Sequence, residues 1–177
     1  MKVLSKEKFN KLISISPNNI IEGFDKYNNA ILTYNEKIKE AEIIEDNFIN
    51  FILDIFKSGK TIIVDYYGNR LNDKEFDKMI ESLEMEEKEL LCELRKENNS
   101  GIYFNIESLE TLKLIIKISV QSILFSTFYI LGDDLTIWSN YDYKFVMFFN
   151  DLDKLNIYNK LAESNNLVIK DIKIVNK

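Results

Sequence analysis

The chain has 177 residues, 46% of them hydrophobic and 29% charged, a formal net charge of −6 and no histidine. That size and polarity fit one globular domain whose core needs no disulfide or metal staple. Without imidazole, Ser-His-Asp and Cys-His catalysis and histidine–metal sites are excluded, and the acidic balance opposes nucleic acid while suiting a basic protein partner. Cys92 is the single cysteine, so neither an intramolecular disulfide nor a cysteine-based zinc site can form. The opening MKVLSKEKFN has no signal-peptide apolar core. No apolar run approaches the roughly 20 residues of a membrane span. The expectation is a cytoplasmic protein with no cofactor, no metal and no membrane partner. Abundant Asn, Ile and Lys, with Arg only at positions 70 and 95, point to an AT-rich genome, bacterial or phage.

In chain order, Ser5 caps a short helix over KEKFNKLISI, with Phe9, Leu12 and Ile13 on one face. Ser16-Pro17 reads as a second helix start. From there Ile20, Ile21, Phe24, Tyr27, Ile31, Tyr34 and Ile38 recur at helical spacing, with Asn28-Asn29 weakening the middle. AEIIEDNFINFILDIF is a further helix striped by Ile44, Phe48, Phe51, Ile52 and Ile55 and ended by Ser58-Gly59. The β-branched, aromatic TIIVDYY predicts a strand closed by Gly68-Asn69. A charged helical region, 72–98, follows and stops at NNSG. GIYFNI is a short strand, and Ser108 caps a helix over SLETLKLIIKIS.

The remainder predicts a meander. Leu124 to Leu131 pairs across Gly132-Asp133 with Leu135 to Trp138, and a second turn at Asn140 to Asp142 leads into Tyr143 to Phe149. A helix follows with Leu152, Leu155, Tyr158 and Leu161 inward. LVIKDIKIV is the last strand, and its alternation slips at Lys170-Asp171, the mark of a bulge. The order defines one α+β domain over 1–177: a helical N-terminal part (1–58), then a mostly antiparallel sheet with a C-terminal helix and strand (61–177).

Tyr143, Phe145, Met147 and Phe149 share one strand face and Val146 and Phe148 the other, so this strand is covered on both sides. Asp133, Asp134, Asn140, Tyr141 and Asp142 occupy tight turns, where Asp and Asn tolerate left-handed geometry. Successive hairpin turns lie at opposite ends of a meander, so these carboxylates do not form a catalytic pair. Trp138 is either core edge or binding anchor. ESLEMEEKELLCELRKE carries Glu84, Glu86, Glu87, Glu89 and Glu93 on its polar face. That face is either a solvated surface with Glu84–Lys88 support or a docking surface. Cys92 lies beside the apolar stripe as a small hydrophobe. Asp151 and Asp153 start a calcium-loop pattern that Leu155, Asn156 and Ala162 break, which leaves helix capping as their role. The five glycines form no nucleotide fingerprint.

A small, acidic, histidine-free α+β chain with LTIWSNYDYKFVMFF followed by a helix and a strand resembles the immunity proteins of bacterial polymorphic-toxin systems. The resemblance implies a non-enzymatic inhibitor that covers a cognate toxin's active site. Its basic partner would meet Glu84, Glu86, Glu87, Trp138, Tyr141 and Asp142, residues taken from this chain's own acidic helix and turn. Three other readings stand beside it. One is a phage-encoded inhibitor of a host defence nuclease. Another is an enzyme using carboxylates, tyrosines and lysines, and the last is an oligomer built on the N-terminal helices.

Overall fold

The computed structural model of the chain describes residues 1–97 and 101–175. Asn98 to Ser100, where the charged helix was expected to stop, lie outside the described residues. Eight strands form one antiparallel sheet: β1 (Lys2–Leu4), β2 (Asn28–Tyr34), β3 (Ile62–Asp65), β4 (Tyr103–Asn105), β5 (Thr127–Ile130), β6 (Leu135–Trp138), β7 (Phe145–Phe149) and β8 (Leu167–Lys173). Their spatial order is β1-β4-β3-β5-β6-β7-β2-β8, with helices interspersed, so the class is α+β.

Alternation along each strand sorts its side chains to two faces. One face carries Ile62 and Val64, Phe128 and Ile130, and Phe145, Met147 and Phe149 into the main core. Against it pack α3 (Ala41–Lys57), α4 (Asp73–Ile80), α5 (Met85–Glu97), α6 (Leu109–Val120) and α7 (Leu152–Ser164). The other face carries Ile63, Tyr129, Val146 and Phe148 under α1 (Lys6–Leu12), α2 (Ile20–Lys26) and the segment between them. The expected two-sided burial of β7 is what the structure shows.

Helix ends follow local chemistry. The Ser5 side chain accepts the Lys8 N–H at 3.2 Å, and Ser108 Oγ accepts that of Thr111 at 3.4 Å. Asp151 Oδ1 accepts the Asp153 N–H at 2.8 Å, which is the capping role expected of it. In α3 the whole stripe Ile44, Phe48, Phe51, Ile52 and Ile55 is buried, each side chain contributing roughly 1.5–3 kcal/mol. Gly59, at φ +88°, ends that helix in the left-handed region. The slip at Lys170-Asp171 is a bulge. Ile31 opposes Lys170 and Asn29 opposes Lys173, so β8 carries one extra residue, with Asp171 at φ +55°.

Four expectations are corrected. The helix read through residues 20–38 stops at Lys26, and Asn28–Tyr34 is a strand between β7 and β8. Its pairing on both sides, from Asn28↔Phe149 to Tyr34↔Leu167, outweighs a local spacing that fits either period. Helix α2 starts three residues after Ser16-Pro17, where Asn19 Oδ1 accepts the Glu22 N–H at 3.0 Å. The 72–98 region is two helices. Asn72 and Glu75 form a reciprocal capping box at the start of α4, and a turn over Glu81–Glu84 separates it from α5. Leu152 faces solvent at 45% exposure because it opens the first turn of α7, while Leu155 and Tyr158 one turn on are buried. The sheet also gains β1 from the MKVL opening, too short to show a period of its own.

Candidate functional site

Helix α5 lies beside α6, tied to it by Glu87, whose Oε1 accepts from Lys117 Nζ at 2.7 Å. Between the two helices runs a groove of 470 Å³. Glu86, Glu87, Glu89 and Glu93 of α5 and Glu110 of α6 line it, with Lys113 as its cationic member and Leu90 and Leu114 as its apolar floor. Glu84 sits one step before α5, its N–H donating to Glu87 Oε2 at 3.2 Å. The expected Glu84–Lys88 support gives way to the Glu87–Lys117 pair across helices, which brings the acidic row next to α6. Five carboxylates, one of them paired with Lys117, against Lys113 leave a net negative potential in a concave surface, where field lines focus.

Trp138, Tyr141 and Asp142 gather elsewhere. Trp138 is half-buried on the α1/α2 face, edge-on to Phe148 with ring centroids 6.5 Å apart. Tyr141, 64% exposed, meets Phe125 edge-on at 4.6 Å. Asp142 and Tyr143 take left-handed φ of +59° and +53° in the β6–β7 turn. Trp138 and the acidic helix are therefore on opposite faces of the sheet, and the six residues form two separate groups. Asp133 and Asp134 are at the other end of β6, as the meander geometry requires.

Asp65 escaped the sequence reading. Strand alternation turns it to the α1/α2 face in a row across the sheet: Tyr103 opposes it on β4, the Thr127 N–H of β5 donates to it, and Trp138 opposes Thr127 on β6. It is 7% exposed. Burial pushes its carboxyl up to about 6, against the Thr127 N–H, which donates to Oδ1, and the Tyr129 hydroxyl, which donates to Oδ2 at 3.5 Å. The Tyr129 hydroxyl is itself pushed far up, by burial first and by the Asp65 charge second. Tyr103 stacks on Phe9 at 3.7 Å and closes the row. The available signal was an aspartate inside the apolar run TIIVDYY, at a position the alternation places inward.

Asp133 does more than shape a turn. Its carboxylate accepts from Lys60 Nζ at 2.8 Å and from the Tyr158 hydroxyl at 2.6 Å, and Lys154 Nζ stands 3.6 Å away. Partial burial opposes its charge, but the bonds from Lys60 and Tyr158 outweigh that and hold the carboxyl below the ordinary range. The hub forms the wall of a cleft of 680 Å³ between the end of α3 and one face of α7.

Among the described residues, no group of three or more Cys, Asp or Glu is placed to hold a metal ion. No helix of the described residues is long and apolar enough to cross a membrane. No protein-family model matches the chain, and neither does any curated protein or solved structure.

Proposed function

We propose that the chain is a non-enzymatic inhibitor that binds a basic protein, of the kind represented by immunity proteins that neutralise a toxin in the cytoplasm of the cell that makes it. The observation that carries this reading is the α5/α6 groove, where Glu86, Glu89, Glu93 and Glu110, beside the Lys117-paired Glu87, face Lys113 over an apolar floor. A cationic segment of a partner could lie in this groove, its charges complementing the rim and its apolar side chains meeting Leu90 and Leu114. Covering a toxin's basic active-site region would exclude its substrate. The aromatic end around Trp138 and Tyr141, on and beyond the opposite face, is a second contact only for a partner that wraps the sheet edge.

The test compares the tagged wild-type chain with a Glu86→Lys/Glu89→Lys/Glu93→Lys variant, which leaves the Glu87–Lys117 pair intact. From native lysate the wild type should retain one stoichiometric basic protein and, on co-expression, suppress its toxicity. The association rate should fall steeply as salt rises. The variant should lose both capture and protection. Equal protection by the variant would remove the groove from the interface, and capture without protection would remove the inhibitory role. If the retained protein is a host defence nuclease, the phage-inhibitor reading replaces the toxin one.

A further inference from the structure

The 680 Å³ cleft between α3 and α7 is out of character with the rest of this acidic chain. Its charged lining is Lys60, Lys154 and Lys160 against Asp54 and Asp133. Both carboxylates are already engaged. Asp133 holds Lys60 and the Tyr158 hydroxyl, while Asp54 meets Asn165 Nδ2 at 3.2 Å and Lys57 at 3.7 Å. Lys154 Nζ donates to the Gly132 carbonyl at 2.9 Å, which fixes its head beside that of Lys60 near one carboxylate. Each ammonium has three N–H donors, so both keep hydrogens for a further acceptor. No carboxylate among the described residues engages Lys160. The same cleft is lined by Ile55, Leu161 and Tyr158, and by Ile157, which is 67% exposed.

We infer that this cleft binds a small amphipathic anion, an apolar body against Ile157 and Leu161 with a carboxylate or phosphate head at Lys60, Lys154 and Lys160. The volume lies within the roughly 300–1,000 Å³ of small-molecule sites, which combine mostly apolar walls with a few convergent polar groups. Lys60 and Lys154 act as charge-assisted donors already held in place by Asp133, so little of their side-chain freedom is lost when the anion arrives. The exposed Ile157 finds its buried state only when the apolar body covers it. This site is independent of the α5/α6 groove, and its test needs no protein partner.

The experiment titrates the full chain, labelled for backbone amide NMR, with octanoate, octyl phosphate and octylammonium. The expected result is saturable shifts from at least one of the two anions at Ser58–Lys60, Gly132–Asp134 and Lys154–Ser164, with none from octylammonium. Whichever anion binds more tightly names the head group. Ile157→Glu, at an exposed position where the fold has little to lose, should abolish the shifts. Lys60→Gln/Lys160→Gln should weaken binding about tenfold or more, the value of charged hydrogen bonds. Comparable binding of octylammonium, shifts scattered over the molecule, or no saturable response to either anion would overturn the assignment. So would unchanged affinity in Ile157→Glu.

Discussion

Asp65→Asn isolates the cost of burying a carboxylate on the α1/α2 face. The amide is nearly isosteric, and its oxygen can still accept the Thr127 N–H. The Asp65 carboxyl is moved from 3.8 to about 6, roughly two units, and each unit corresponds to about 1.4 kcal/mol. Below about pH 3 the side chain is protonated whether the chain is folded or not, so burial costs no charge. Between about pH 4 and 6 the unfolded chain ionises while the folded one keeps its proton, and stability is lost as pH rises. Above pH 6 the loss is complete, at about 3 kcal/mol. The amide does not titrate. The stability of Asp65→Asn relative to wild type should therefore climb by about 3 kcal/mol from about pH 3 to pH 7 and then level off. Urea unfolding of both proteins at intervals of pH reads this directly, since titrations shared by the two chains cancel in the difference. A difference that stays flat with pH would refute the reasoning. A wild type that gains on the variant as pH rises would mean that a cation near Asp65 dominates over burial.

Other positions test the packing. At Gly23 in α2, an added Cβ would overlap the Phe148 ring, in the tight layer over β7. Gly23→Ala should therefore lower the thermal midpoint despite alanine's better helix propensity, with a stability loss of roughly 1–3 kcal/mol from overpacking. A stabilised variant would show that Phe148 can move aside. Phe48→Ala empties the centre of the α3 stripe, where the ring sits 4.8 Å from Phe145 and is fully buried. Denaturant titration should find it about 3–5 kcal/mol less stable. Asn72→Ala removes half of a reciprocal cap at an exposed site and should cost about 1 kcal/mol, with no change in the urea slope.

Much of the architecture was legible because the forces behind it are local. The stripe of α3, the caps Ser5, Ser108 and Asp151, and the alternation in Tyr143 to Phe149 each act within a few residues, so position along the chain reveals them. Residues 28–34 were misread because Ile31 and Tyr34 fit a helical spacing from Tyr27 as well as a strand. The partners that decide between them, Phe145 to Phe149 and Leu167 to Lys173, are more than a hundred residues away. The candidate surface was legible in part. The glutamates of α5 could be read as one polar face, but the groove exists only because folding sets α6 alongside, where Lys117 meets Glu87. Trp138 and the acidic helix looked equally exposed in one dimension, and the sheet separates them.

The sequence by itself determined the α+β class, the positions of most helices and strands, and the chemistries closed to a chain with no histidine and one cysteine. Those follow from composition and from the short-range periods of backbone geometry. Only the tertiary structure decided that Asp65 is a buried carboxyl whose pKa burial raises, that Asp133 gathers Lys60, Lys154 and Tyr158, and that one cleft of an acidic protein is lined by three lysines against two aspartates. Charge and proton affinity depend on which distant groups surround a side chain and how much water remains there, and folding sets both.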